Sequence, residues 1–117
     1  MTYMEMYIKL QAYIDAHEDK PGFDPADREQ WAESLCRAAV EIPGYGERFA
    51  LESSDIHGVI YKIFAIAGGH RVHIGYFELA GFPGQTVAVR FFGLRKYGGM
   101  EFDQAVLSMA DEGMFNT

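Results

Sequence analysis

The chain has one cysteine, four prolines and no apolar run near the ~20 residues that a membrane helix requires. Cys36 cannot form an internal disulfide, and among helix-forming neighbours it reads as a small buried hydrophobe of a reducing compartment. The opening MTYMEMYIKL has no basic stretch followed by a continuous apolar one, so a soluble, cytoplasmic protein is expected. Bases are scarce too: 17 acids against 10 Lys and Arg give a net charge of -7, which disfavours nonspecific binding to a polyanion. There is no internal repeat, low-complexity tract or linker. Residues 1–117 therefore read as a single domain.

What is present is core material. Of the 117 residues 49% are hydrophobic and 15% aromatic, enough to fold without a staple or a structural metal. Thr2-Tyr3-Met4-Glu5 has the spacing of a capping box, and Tyr3, Met6, Tyr7, Leu10, Tyr13, Ile14 and His17 recur with helical period. This first helix is expected to end near Asp19, ahead of Pro21-Gly22. Asp24-Pro25 is placed to open a second helix with a stripe of Trp31, Leu35, Ala38, Ala39 and Ile42, stopped by Pro43-Gly44. Phe49 and Leu51 alternate as in a short edge strand.

Val59–Ala67 and His70–Leu79 flank Gly68-Gly69, a strong hairpin signal because a primed two-residue turn needs positive φ. The turn sets Ala67 opposite His70, Ala65 opposite Val72, Ile63 opposite Ile74 and Tyr61 opposite Tyr76. A looser loop leads to a third strand, Thr86–Leu94, and Gly98-Gly99 precedes a last helix with Phe102, Ala105, Val106, Met109 and Ala110 on its apolar stripe. The expected fold is α+β: two N-terminal helices, an antiparallel sheet of three to four strands and a C-terminal helix.

Charge is distributed unevenly. Residues 1–56 carry 12 acids and 5 bases, residues 57–97 carry 5 bases and 1 acid, and residues 98–117 carry 4 acids and no base. One face of the predicted sheet places Lys62, Arg71, His73 and Arg90 beside Ile60, Phe64, Phe77 and Phe92, with Arg95, Lys96 and Tyr97 just beyond. Such a face suits RNA, with Arg as phosphate clamp, His as acid or base and an aromatic ring as stacking platform. Its plainer reading is a solvated face whose cations pair with acids of the flanking helices. Metal chemistry finds no ligand pattern, since His70 and His73 point to opposite faces of a strand. No cofactor is expected, and no nucleophile lies in a recognised elbow.

The order of two helices, antiparallel sheet, basic segment and final helix resembles the RelE/HigB toxin family of ribosome-associated ribonucleases. Gly58-Val59-Ile60-Tyr61-Lys62-Ile63, His70-Arg71-Val72 and Val87 to Phe92 with Arg95-Lys96 carry the likeness, over about half the chain. It implies Arg71, His73, Arg90, Lys96 and Tyr97 as site residues, His73, Arg90 and Tyr97 being the catalytic candidates. The acidic N-terminal half departs from a family that tends to be strongly basic.

A different class of function follows from the acids. Asp15, Glu18, Asp19, Asp24, Asp27, Glu29 and Glu33 gather around the connection between the first two helices, and Phe82 stands at the Pro83 loop tip. The leading expectation is a non-enzymatic module that binds the basic surface of another protein. It would inhibit or regulate a nucleic-acid-handling partner by occlusion, as anti-CRISPR, antirestriction and immunity proteins do. The RelE/HigB-like reading with Lys62, Arg71, His73, Arg90, Arg95 and Lys96 on RNA is the alternative. A homodimer through the mixed sheet face is a third.

Overall fold

The computed structural model describes residues 1–17, 28–41, 46–80 and 86–113. The expected turn at Pro21-Gly22, the Asp24-Pro25 helix start, Pro43-Gly44 and the Phe82-Pro83 tip lie outside the described residues. In chain order the elements are α1 (Tyr3–His17), α2 (Arg28–Val40), a single 3-10 turn (Gly46–Arg48) and β1 (Phe49–Ser53), followed by β2 (Val59–Ala67) and β3 (His70–Ala80). They continue with β4 (Thr86–Phe91), α3 (Leu94–Tyr97) and α4 (Phe102–Asp111). The four strands form one antiparallel sheet in the order β1-β2-β3-β4, so each strand pairs with its sequence neighbour. Among the described residues no helix is long and apolar enough to cross a membrane.

Local chemistry explains the element ends. The Glu5 amide donates to Thr2 Oγ1 (3.1 Å) and the Thr2 amide to Glu5 Oε1 (2.8 Å), the reciprocal capping box that starts α1. Those bonds hold the Glu5 carboxyl below its ordinary range. Gly68 and Gly69 take φ of 55° and 79°, the primed turn expected between β2 and β3. The expected third strand stops at Phe91 rather than Leu94. Gly93, at φ 68°, turns the chain into the unexpected one-turn α3, so Arg95 and Lys96 are helical.

The helices bury one stripe each against a single sheet face. Tyr3, Met6, Leu10 and Ile14 of α1, and Phe102, Ala105, Val106 and Met109 of α4, join Ile63, Val72, Ile74, Phe77, Val87, Val89 and Phe91 in one core. Each such side chain contributes roughly 1.5–3 kcal/mol by leaving water. On α2 the stripe is rotated from expectation: Ala32, Leu35, Cys36, Ala39 and Val40 are buried, while Trp31 and Ala38 are half-buried. Small residues at 32, 36 and 39 let the helix approach closely, and the bulky indole is left at the rim. The Tyr3 hydroxyl crosses from α1 to donate to the Phe92 carbonyl (2.7 Å), with the Ile74 carbonyl 3.3 Å away.

The register departs from the simple hairpin count. Ala65 and Val72 pair as expected, but Ile63 pairs with Gly75 and Tyr61 with Phe77, so Ile74 is an extra residue on β3. Beyond this bulge the alternation inverts: Phe77 enters the core instead of lying on the face with Lys62 and His73, and Tyr76 takes that face. Gly75 is what allows it. A Cβ there would lie 1.8 Å from the Arg90 carbonyl oxygen, so no side chain fits between β3 and β4 at that point.

Candidate functional site

The sheet separates two surfaces of different chemistry. All the helical stripes above share its inner face, and among the described residues no helix covers the outer one. On the outer face one row runs directly across the four strands as Glu52, Lys62, Tyr76 and Arg90. A neighbouring row holds Ala50, Phe64 and His73, followed by Phe92, whose amide donates to the Ile74 carbonyl (2.7 Å) just beyond β4.

Aromatic rings form the centre of this face. Phe64 stacks on His73 (5.0 Å between centroids), His73 meets Phe92 edge-on (5.1 Å), and Phe92 lies 5.9 Å from Tyr76. Phe64 is only 1% exposed although it points away from the core, because the Arg71 guanidinium lies 3.9 Å over its ring and His73 flanks it. His73 Nε2–H donates to the Gly75 carbonyl (2.9 Å), which fixes the tautomer since a carbonyl can only accept. Burial pushes the His73 imidazole below its ordinary range, and the nearby Lys62 ammonium adds to that, so the ring is neutral at neutral pH.

The two arginines of this face are already engaged. Arg71 pairs with Glu52 at 3.0 Å and Arg90 with Glu78 at 2.6 Å. These partners are strand glutamates, not the helix acids that a plain reading of the sequence suggests. Glu78 on β3 pairs directly across from Ala88, which leaves room for the neighbouring Arg90 to reach it. Neither glutamate was singled out from sequence. For Glu78 the signal is Gly75 within a strand of branched and aromatic residues, which marks a bulge and re-aims the rest of β3.

Arg95, Lys96 and Tyr97 stand elsewhere. Tyr97 is packed into the core on the helical side, with its hydroxyl donating to the Glu112 carboxylate. Lys96 reaches the same carboxylate at 2.8 Å and Arg95 is exposed on α3. Lys96, then Tyr97, hold the Glu112 carboxyl below its ordinary range, and Glu112 in turn raises both partners. His73, Arg90 and Tyr97 are thus distributed over both sides of the sheet. Lys62, Arg71, His73 and Arg90 share the outer face, and Arg95 and Lys96 sit beyond its end.

Of the acidic residues, Asp15 is exposed on α1 and accepts from Gln11 Nε2 (2.9 Å), and Glu33 is half-buried on α2. Glu29 belongs to α2, while Glu18, Asp19, Asp24, Asp27 and Phe82 lie outside the described residues. Near α4 the acids have cationic neighbours: Glu101 binds the N-terminal amine (2.9 Å), Asp103 lies 3.9 Å from Arg48, and Glu112 holds Lys96. Cys36 is fully buried, and burial pushes its thiol well up, so it packs as a small hydrophobe. Among the described residues no group of three or more His, Cys, Asp or Glu is placed to hold a metal ion. Comparison with protein-family models, with curated proteins and with solved structures gives no match.

Proposed function

We propose that this chain is a non-enzymatic protein-binding module that docks its acidic α1–α2 end on a basic, nucleic-acid-handling partner and inhibits or regulates it by occlusion. The observation that carries this reading is where the sheet cations go. Arg71 and Arg90 are held by Glu52 and Glu78 on the outer face, so they do not neutralise acids on the helical side. Near α4, Glu101, Asp103 and Glu112 have partners of their own. Residues 15–33 carry seven acids, Asp15, Glu18, Asp19, Asp24, Asp27, Glu29 and Glu33, against Lys20 and Arg28, the densest run of negative charge in the chain.

A negative end on a small domain steers a basic partner into encounter and speeds association most at low salt. The RNA-directed alternative is less well supported, because a phosphate approaching Arg71 or Arg90 would have to displace a glutamate. The test is capture of partners by the tagged full chain from lysate, with and without nuclease. A basic protein retained after nuclease and released at raised salt is expected. Recovery that requires intact RNA overturns the reading.

A further inference from the structure

We infer that the outer sheet face is the interface with a second copy of this chain, packed face to face about a two-fold axis running along the strands between β2 and β3. The inference is independent of the acidic docking reading, whose described residues Asp15 and Glu33 belong to α1 and α2, the helices that pack on the inner face. Its first support is self-complementarity. The axis places β1 of one copy over β4 of the other and β2 over β3, so the row Glu52–Lys62–Tyr76–Arg90 is read in reverse by its mate. Glu52 then faces Arg90 of the second copy, and Lys62 faces the Tyr76 ring of the second copy, an ion pair and a cation–π contact, each made twice.

Charge and area agree with this occupant. The whole chain carries -7, but Lys62, Arg71 and Arg90 against Glu52 and Glu78 leave the outer face close to balance. Two copies can meet there while their acidic helical layers stay on the far sides, two sheets apart. A nucleic acid on the same face would meet both glutamates. Strands of 5, 9, 11 and 6 residues give a planar footprint. At ~3.3 Å rise and ~4.8 Å spacing it is about 500 Å² before side-chain relief, the scale of the ~800 Å² per partner in standard interfaces.

The centre of the footprint has the anatomy of an interface, with half-buried Tyr76, His73 and Phe92, the 40%-exposed Ile66 and a rim of charge. Growth through the β4 edge is closed instead. Gln11 Oε1 accepts from the Val89 amide (2.8 Å) and Gln11 Nε2 donates to the Val87 carbonyl (3.4 Å), which blocks a further strand there.

The experiment is sedimentation equilibrium of the full chain at ~1 and ~100 µM, with thermal melts confirming that each variant is folded. Wild type is expected to reach twice the 13.2 kDa chain mass at the higher concentration. Ile66→Asp and Tyr76→Asp should each weaken association at least ~10-fold. Glu52→Arg and Arg90→Glu, each placing like charges face to face, should do the same, and the fourfold swap Glu52→Arg, Arg71→Glu, Glu78→Arg and Arg90→Glu, which reverses the two in-chain pairs as well, should restore the dimer. A chain of 13.2 kDa at every concentration overturns the inference, as does a dimer indifferent to all four single variants. So does a fourfold swap that stays monomeric, or a monomer whose Tyr76→Asp variant loses binding to a single-stranded RNA oligonucleotide.

Discussion

Gly75→Ala is the sharpest perturbation of the fold, because the structure shows what the added methyl would meet. Its Cβ would stand 1.8 Å from the Arg90 carbonyl oxygen, 2.8 Å from the Arg90 carbonyl carbon and 3.1 Å from Phe91 Cα, all backbone atoms that cannot rotate away. Restoring even a 3.0 Å contact requires β4 to move about 1.2 Å from β3, enough to stretch ladder hydrogen bonds past their useful range. Loss of one or two such bonds removes ~0.5–1.5 kcal/mol each. Phe91, which packs 5.0 Å from the Tyr3 ring, would be displaced with β4, adding a packing loss. Together the expected destabilisation is about 3–5 kcal/mol, a large share of the ~5–15 kcal/mol that holds a domain of this kind. Urea unfolding followed by circular dichroism measures it. A loss below ~1 kcal/mol would refute the close approach of β3 and β4 at the bulge, and with it the inverted register beyond.

Two further outcomes follow from named contacts. Gln11→Ala removes the side chain that occupies the β4 edge, so stability should fall by ~1–2 kcal/mol and light scattering on heating should rise; a variant unchanged in both would contradict the role of Gln11 as an edge seal. His73 has a folded pKa lowered from 6.5 by burial, so the unfolded chain takes up this proton first. The stability it contributes is present above pH ~6.5 and is lost as the pH falls below that value; His73→Gln should flatten urea midpoints between pH 7 and pH 5, and a ring titrating above 6.5 by NMR would contradict the assignment.

Much of the fold could be read from local chemistry. The Thr2–Glu5 capping box, the positive-φ glycines at 68 and 69 and the stripe Phe102, Ala105, Val106 and Met109 each announce themselves within a few residues. The bulge did not, because Val72, Ile74 and Tyr76 satisfy an unbroken period of two whereas the core residues Val72 and Phe77 do not, and the glycine at the break is explained by a contact with Arg90, fifteen residues away. The rotated stripe of α2 has a similar origin. Trp31 is the strongest apolar signal in that helix, yet close approach to the sheet favours Ala32, Cys36 and Ala39. At the candidate site, sequence spacing placed Lys62, Arg71, His73 and Arg90 on one face. Which acids they pair with depended on strand neighbours, and Tyr97 went to the core because α3 turns it under the sheet.

The most direct test of the proposed function is a parallel capture by wild type and by a variant carrying Asp15→Lys, Asp24→Lys, Asp27→Lys, Glu29→Lys and Glu33→Lys, both treated with nuclease and both checked for folding by thermal melt. The account predicts that wild type retains a stoichiometric basic protein and that the charge-reversed chain, equally folded, loses it. Equal retention of that protein by the two would contradict the acidic docking surface.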